Sequence, residues 1–369
     1  MKNIITINIE LAKNKILASL LADHTNGKVG AFKTVVGLQG GAGVGKSESI
    51  VQASKEYAER LGLEFVETTD PSDKQLGFSI IQCSNVTASD LAIPTPNADK
   101  TELNYAFNLE LLPRKGKGIL FVDELSQGDA DVQKLLMALI RQRSVNGYHL
   151  PKDWSIICAY NRVQDHAGAN AVLKTLTDRI TNKFNVEVDA SSWIKWASAN
   201  DVHPHVMAFI KADNRMLCTL HEADRNDIGS TPRTITMMSD EYHNIKNGLY
   251  KDVGISDKDI LSSVVGDEVG TAFSTFLKLV KKLPSVSEII KNPDEVRVIE
   301  EGEDGCRALI TFGLANKVKS EKDFKNALIY LGKFEQSEYE SFFATALVSK
   351  RPELKETKTF TDLKLVNHL

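Results

Sequence analysis

Residues 32–47 read FKTVVGLQGGAGVGKS, and this stretch decides the fold. A short β-branched run, Phe32 to Gly40, has the form of a buried parallel strand. The segment Gly40 to Ser47 fits G-x-x-x-x-G-K-[ST] and opens a helix expected from Ser47 to Leu61, with Gly62 as its C-cap. In this motif glycines turn backbone N–H groups inward, and the helix N-terminus adds the positive end of its dipole. The implied ligand is a phosphate group, cradled by Gly40, Gly41, Ala42, Gly43, Val44, Gly45, Lys46, Ser47 and Glu48. Lys46 would reach the β- and γ-phosphates of a nucleoside triphosphate, and Ser47 would ligate Mg²⁺.

Outward from this loop, further strands are expected at 78–84 (FSIIQCS), 118–123 (GILFVD), 154–160 (WSIICAY) and 182–188 (NKFNVEV). Helical patterns separate most of them, which argues for a mostly parallel α/β sheet of five strands. The polar segment 64–75, which carries Pro71, reads as an irregular excursion or hairpin. One helix is expected before the fold, over residues 8–23, where apolar side chains recur at helical spacing until Asn26-Gly27.

After Asp189 the strand signals fade. Helix starts recur at Ser191, Pro204, Ser230-Thr231-Pro232, Ser256, Ser285 and Ser320. The expected organisation is a lead-in over 1–30, an α/β nucleotide-binding domain over 31–189, an all-helical lid over 190–299 and a helical C-terminal region over 300–369.

The strand GILFVD runs into Asp123-Glu124, and an acidic pair at the carboxyl end of a parallel strand lies where open α/β sheets bind ligands. Asp123 would hold Mg²⁺ through water, and Glu124 would orient and deprotonate an attacking water. A strand ending in Asp-Glu is, by itself, more often a solvated strand end. Joined to the phosphate loop it becomes a hydrolysis site.

Composition bounds the rest. The 369 residues are 42% hydrophobic and 25% charged, as in an ordinary globular protein of two to three domains. A net charge of −4 provides no general field for a nucleic-acid backbone. Cys83, Cys158, Cys218 and Cys306 are widely spaced without a C-x-x-C pair, so they read as reduced thiols. No apolar run approaches a membrane span and the N-terminus lacks a signal-peptide core, giving a cytoplasmic expectation. His203-Pro-His205 could be taken for a metal pair, but i and i+2 positions diverge on a helix. The stripe Phe273, Phe276, Leu277, Val280 reads as helical core, with Lys278, Lys281 and Lys282 on its solvated face.

The block FVDELSQGDADVQKLLMALIRQRSVNGYHLPKDWSIICAYNR (121–162), followed by LTDRITNKFNVEV (176–188) and STPRTI (230–235), resembles the MoxR-like AAA+ ATPases of the helix-2-insert clade. The likeness runs from about Phe32 to about Ser239, with its elements in the family's order. It implies an AAA+ P-loop core, ATP and Mg²⁺ as ligands, and ATP hydrolysis. Asn161 matches the sensor 1 residue that positions the lytic water or contacts the γ-phosphate. Arg179 in LTDRI matches the arginine finger supplied by a neighbouring subunit, and Arg233 in STPR matches sensor 2. Thr231 as cap and Pro232 in the first helical position would present Arg233 at a helix start.

The resemblance further implies a homo-oligomeric ring, a hexamer, that remodels a protein client, often beside a von Willebrand factor A-type partner. A nucleic-acid motor of the same clade is the alternative, disfavoured by the acidic balance. Two departures stand out. Arg162 replaces the proline usual after the sensor 1 asparagine, and Ser89-Asp90-Leu91, which resembles the segment after the second strand, follows a longer excursion than usual.

Overall fold

The computed structural model describes residues 4–162, 172, 174–220, 228–281, 283–300 and 302–367. These divide into two compact units, Met1–Glu187 and Val188–Leu369. Lys282 of the expected solvated helix face lies outside the described residues.

The first unit contains, in order, β1 (Ile5–Ile7), α1 (Ile9–Thr25), β2 (Val36–Gly40), α2 (Lys46–Arg60), β3 (Glu64–Glu67), β4 (Gln75–Gln82) and α3 (Ala88–Leu91). There follow β5 (Ala92–Pro96), β6 (Leu103–Phe107), β7 (Lys117–Asp123), α4 (Ala130–Gln142), β8 (Ser144–Val145), β9 (Tyr148–His149), β10 (Asp153–Tyr160), α5 (Lys174–Thr177) and β11 (Asn182–Val186). The main sheet has the order β1-β11-β2-β10-β7-β4-β3, and every neighbouring pair in it runs parallel.

The fold is therefore the expected α/β type, with seven strands in place of five. Both extra strands are edges. β3 occupies part of the segment read as an excursion: Glu64 and Glu67 are exposed and Phe65 and Val66 half-buried, so the strand shows none of the deep burial of the central ones. β1 has only three residues and pairs with β11. After β4 and α3 the chain forms the antiparallel hairpin β5–β6, which leaves Ile93 exposed on one face and Leu103 on the other.

The strand before the phosphate loop begins later than its β-branched run implies. Gly30–Phe32 forms a single 3₁₀ turn, and the buried carboxylate of Asp23 at the end of α1 captures Thr34. Asp23 Oδ2 accepts from Thr34 N at 2.6 Å and Oδ1 from Thr34 Oγ1 at 2.9 Å. Lys28 Nζ sits 3.0 Å from the same carboxylate, balancing a charge that burial would otherwise penalise.

Helix α2 buries Ser49, Ile50, Ala53, Ser54, Tyr57 and Ala58, the i, i+3, i+4 stripe of a helix packed on a sheet. Leu61 closes it, and Gly62 takes φ +66° just beyond, a left-handed exit that glycine adopts without a Cβ penalty. In the sheet centre the fully buried indole of Trp154 lies across β4 and β7. A Cβ on Gly77 or Gly118 would come within 2.8 Å of its ring carbons. Trp154 Nε1 donates to Lys115 O at 2.8 Å, which satisfies its one polar atom.

The second unit is helical: α6 (Ala190–Ala199), α7 (Pro204–Ala212), α8 (Pro232–Lys246), α9 (Asp257–Val265), α10 (Asp267–Val280), α11 (Val286–Lys291), α12 (Asp304–Lys317), α13 (Glu321–Gly332), α14 (Ser337–Lys350) and α15 (Lys358–Asn367). The starts read from sequence are made by side-chain caps. Thr231, Ser256, Ser285 and Ser320 each accept a backbone N–H of the first turn, and Asp189 rather than Ser191 caps α6. One continuous hydrophobic core runs from Trp193 on α6 to Leu363 on α15, so the helices beyond residue 300 share it with those before. Phe273 and Phe276 of α10 are buried in it, with Leu277 and Val280 packed at its margin and Lys278 and Lys281 exposed.

Candidate functional site

The register of the parallel sheet brings three carboxyl ends together. Tyr160 at the end of β10 pairs with Gln39 of β2, and Cys158 pairs with Val122 of β7. The chain leaving β2 is the glycine loop, the chain leaving β7 starts with Glu124, and the chain leaving β10 starts with Asn161. With β10 in the middle, Asn161 emerges between loop and acids.

Lys46 opens α2 and is buried to 8% exposure. Its Nζ donates to Gly40 O at 2.9 Å, Gly41 O at 2.6 Å and Asn161 Oδ1 at 2.9 Å. Ser47 Oγ donates to Asp123 Oδ2 at 2.8 Å, and Glu124 N donates to Asp123 Oδ1 at 2.8 Å. Lys46, Ser47, Asp123, Glu124 and Asn161, read from three separate segments, thus form one bonded cluster. The arrangement is the one a phosphate-binding loop requires.

The loop geometry explains the glycines. Gly45 is the N-cap of α2 with φ +96° and, being glycine, offers no side-chain cap to the helix start. Gly43 also takes positive φ, +70°. Amides at the positive end of a 15-residue helix, beside an ammonium, suit an anion. Val44 is buried, whereas Ala42 is half-buried and Glu48 is exposed, its carboxylate accepting from Gln52 Nε2 at 2.8 Å.

Two oxygens of different residues, the Ser47 hydroxyl and the Asp123 carboxylate, present the hard donors that Mg²⁺ takes, and so fit this ion. Burial raises the Asp123 carboxyl above the ordinary carboxylate range. The hydrogen bonds from Ser47 and Glu124 work in the opposite direction, and Glu124 nearby adds to the rise. A cation placed there would relieve that cost.

Glu124 is a non-glycine residue at φ +51°. That left-handed conformation costs on the order of 1–3 kcal/mol for such a residue and is kept only when its surroundings hold it. Gln127 N donates to Glu124 O at 2.7 Å and Leu125 N donates to Ala159 O at 3.0 Å, closing a tight turn against β10.

The remaining two candidates are Arg179 and Arg233. Arg179 follows α5 in a turn, its N–H bonded to Leu176 O at 3.0 Å, and its side-chain Nε is buried without a hydrogen-bond partner. No hydrogen bond among the described residues joins it to Lys46, Ser47 or Asp123. Arg233 belongs to the second unit. Thr231 accepts from Thr234 N at 3.2 Å and Pro232 occupies the first turn, so Arg233 is presented, exposed, at the start of α8. His203 and His205 are engaged with each other and with Tyr242: His205 N donates to His203 Nδ1 at 3.0 Å, and His205 Nδ1 lies 2.8 Å from Tyr242 OH.

One residue of the site was not singled out from sequence. Ser126, fully buried, accepts from Asn161 N at 3.1 Å through its hydroxyl. A hydroxyl two places after the acidic pair, next to Leu125, is the only sequence signal it offers.

No family model matches the chain, and no curated protein does either. Among solved structures it is similar to RuvB of Thermotoga maritima, at 14% identity over 79% of this chain and 78% of that one, with a TM-score of 0.42. It is also similar to NtrX of Brucella abortus, at 12% identity over 91% of this chain and 64% of that one, with a TM-score of 0.37. At such scores these likenesses carry nothing for the site, which stands on its own geometry. None of the four cysteines forms a disulfide, and no helix among the described residues is long and apolar enough to cross a membrane.

Proposed function

We propose that this chain is an ATP hydrolase of the MoxR-like AAA+ kind, which works as a ring and spends ATP on remodelling a protein client. The observation that carries the reading is the single cluster of Lys46, Ser47, Asp123 and Asn161 at the carboxyl ends of β2, β7 and β10. That is the equipment for gripping a triphosphate and attacking its terminal phosphorus.

In this reading Lys46 exchanges its carbonyl and Asn161 partners for β- and γ-phosphate oxygens, and the first-turn amides of α2 hold the remaining phosphate charge. Ser47 and Asp123 would hold Mg²⁺, which when bound offsets charge on the phosphates. Glu124 orients a water and accepts its proton. The new bond joins the water oxygen to the γ-phosphorus, and the bond to the β-phosphate oxygen breaks with its electrons leaving on ADP. Asn161, freed from Lys46, aligns the water. Arg179 of a neighbouring protomer would steady the charge spread over the transferring group, and Arg233 would report nucleotide state to the helical unit.

The acidic balance of the chain, −4, supports a protein rather than a nucleic acid as client. A von Willebrand factor A-type partner would hold that client. The test is phosphate release by purified protein with Mg-ATP, together with light scattering with and without nucleotide. Turnover that a salt-resistant protein client stimulates supports the reading. Absence of ATP binding in Mg²⁺ overturns it, and stimulation by DNA that fades with added salt would move the chain to the motor class.

A further inference from the structure

We infer that Ser126 is a positioning residue for hydrolysis, tying the turn that carries Glu124 to the backbone of Asn161. The inference rests on the proposed ATPase reading and adds a residue that the resemblance did not point to.

The turn after β7 is held against the end of β10 at two successive points. Leu125 N donates to Ala159 O at 3.0 Å, and Asn161 N donates to Ser126 Oγ at 3.1 Å. The two bonds run in opposite directions between the same pair of segments, so neither segment can slide along the other without breaking one. Leu125 and Ser126 are both fully buried, which keeps water from replacing either partner.

What lies on each side of this tie gives it consequence. Upstream stands Glu124 at φ +51°, a backbone state that persists only under restraint. Downstream stands Asn161, whose amide oxygen meets Lys46 Nζ at 2.9 Å. The first bond belongs to backbone and survives any side-chain change, whereas the second depends on a single hydroxyl oxygen. Removing that oxygen frees the Asn161 amide and loosens the restraint on the Glu124 turn. It leaves Lys46, Ser47 and the amides of α2 in place. The expected signature is lost turnover with retained nucleotide grip.

The experiment compares Ser126→Ala and Ser126→Cys with the unaltered protein. Cysteine nearly matches serine in volume but its sulfur is a weak acceptor, so it separates packing from hydrogen bonding. Both variants are expected to lose at least tenfold in kcat while Kd for ATP stays within twofold and Tm within a few degrees. If Ser126→Cys keeps full activity, or if Kd weakens in step with kcat, Ser126 only fills space and the inference is overturned. Amide hydrogen exchange at Asn161 in nucleotide-free protein supplies a readout independent of catalysis. It should accelerate at least tenfold in both variants relative to the amide of Ala159, and unchanged exchange overturns the tie. Should the unaltered protein itself fail to hydrolyse ATP, the ATPase reading falls while the exchange result still decides whether the tie exists.

Discussion

Lys46 Nζ lies 2.9 Å from Asn161 Oδ1, a bond that spans residues from β2's loop and from the end of β10. The same ammonium donates to Gly40 O at 2.9 Å and Gly41 O at 2.6 Å. In the proposed ATPase, phosphate binding would be an exchange of these partners, with the ammonium already at the site.

Lys46→Ala should abolish measurable ATP binding, because it removes the charge at the centre of the cradle. Glu124→Gln should keep binding while cutting turnover by about 10²–10⁴-fold, the usual size for loss of a positioned base. Titration calorimetry and phosphate release separate the two. Equal loss of binding in both variants would contradict the assigned roles.

Arg179→Ala should leave Kd for ATP near its original value and lower kcat by about 10³-fold, the scale of an arginine finger. Because the residue would serve a neighbour's site, mixing inactive Arg179→Ala with inactive Glu124→Gln protein should restore part of the activity. No recovery on mixing would place Arg179 outside a shared site.

Acid should unfold the helical unit first. Burial, with help from His205, His243 and Lys246, pushes His203 down to about 3. Burial and Lys246 push His205 down to about 4. The folded pKa values lie below the unfolded value of 6.5, so the unfolded state binds more protons in between. Stability contributed by these groups is complete above pH 6.5 and lost as pH falls toward 4 and then 3. The emission of Trp193 and Trp196, both of the helical unit, reports this, and His203→Gln should flatten the slope.

Gly118→Ala should destabilise the α/β unit by about 1–3 kcal/mol or more, since its Cβ would lie 2.4 Å from Gly77 O and 2.8 Å from the indole of Trp154. Urea titration followed by circular dichroism measures it. A stability equal to the original would mean that β4 and β7 can part more readily than their packing implies.

Much of the site was legible because each part is local. A glycine loop between strand and helix, acids ending one apolar strand and an asparagine ending another need only the parallel register to meet. The edges were illegible for the same reason. The three residues of β1 carry too few side chains to form a period, and β3, EFVE, exposes its two glutamates where a central strand would be apolar. Pro94 and Pro96 in β5 argue against a strand until a hairpin partner lets the unpaired edge accept them. Ser126 escaped notice because its importance is a bond to a backbone 35 residues away, which no spacing encodes.

The Asp23 carboxylate, shut away with Thr34 and Lys28, has a consequence for anyone shortening this chain. The lead-in is not a detachable leader: trimming it back to the phosphate-loop strand would strip Thr34 of its anchor and leave that strand starting from a slack tether. Protein truncated just before Thr34 is expected to fold with a poorly seated glycine loop, even though Lys46, Ser47, Asp123 and Asn161 would all still be present.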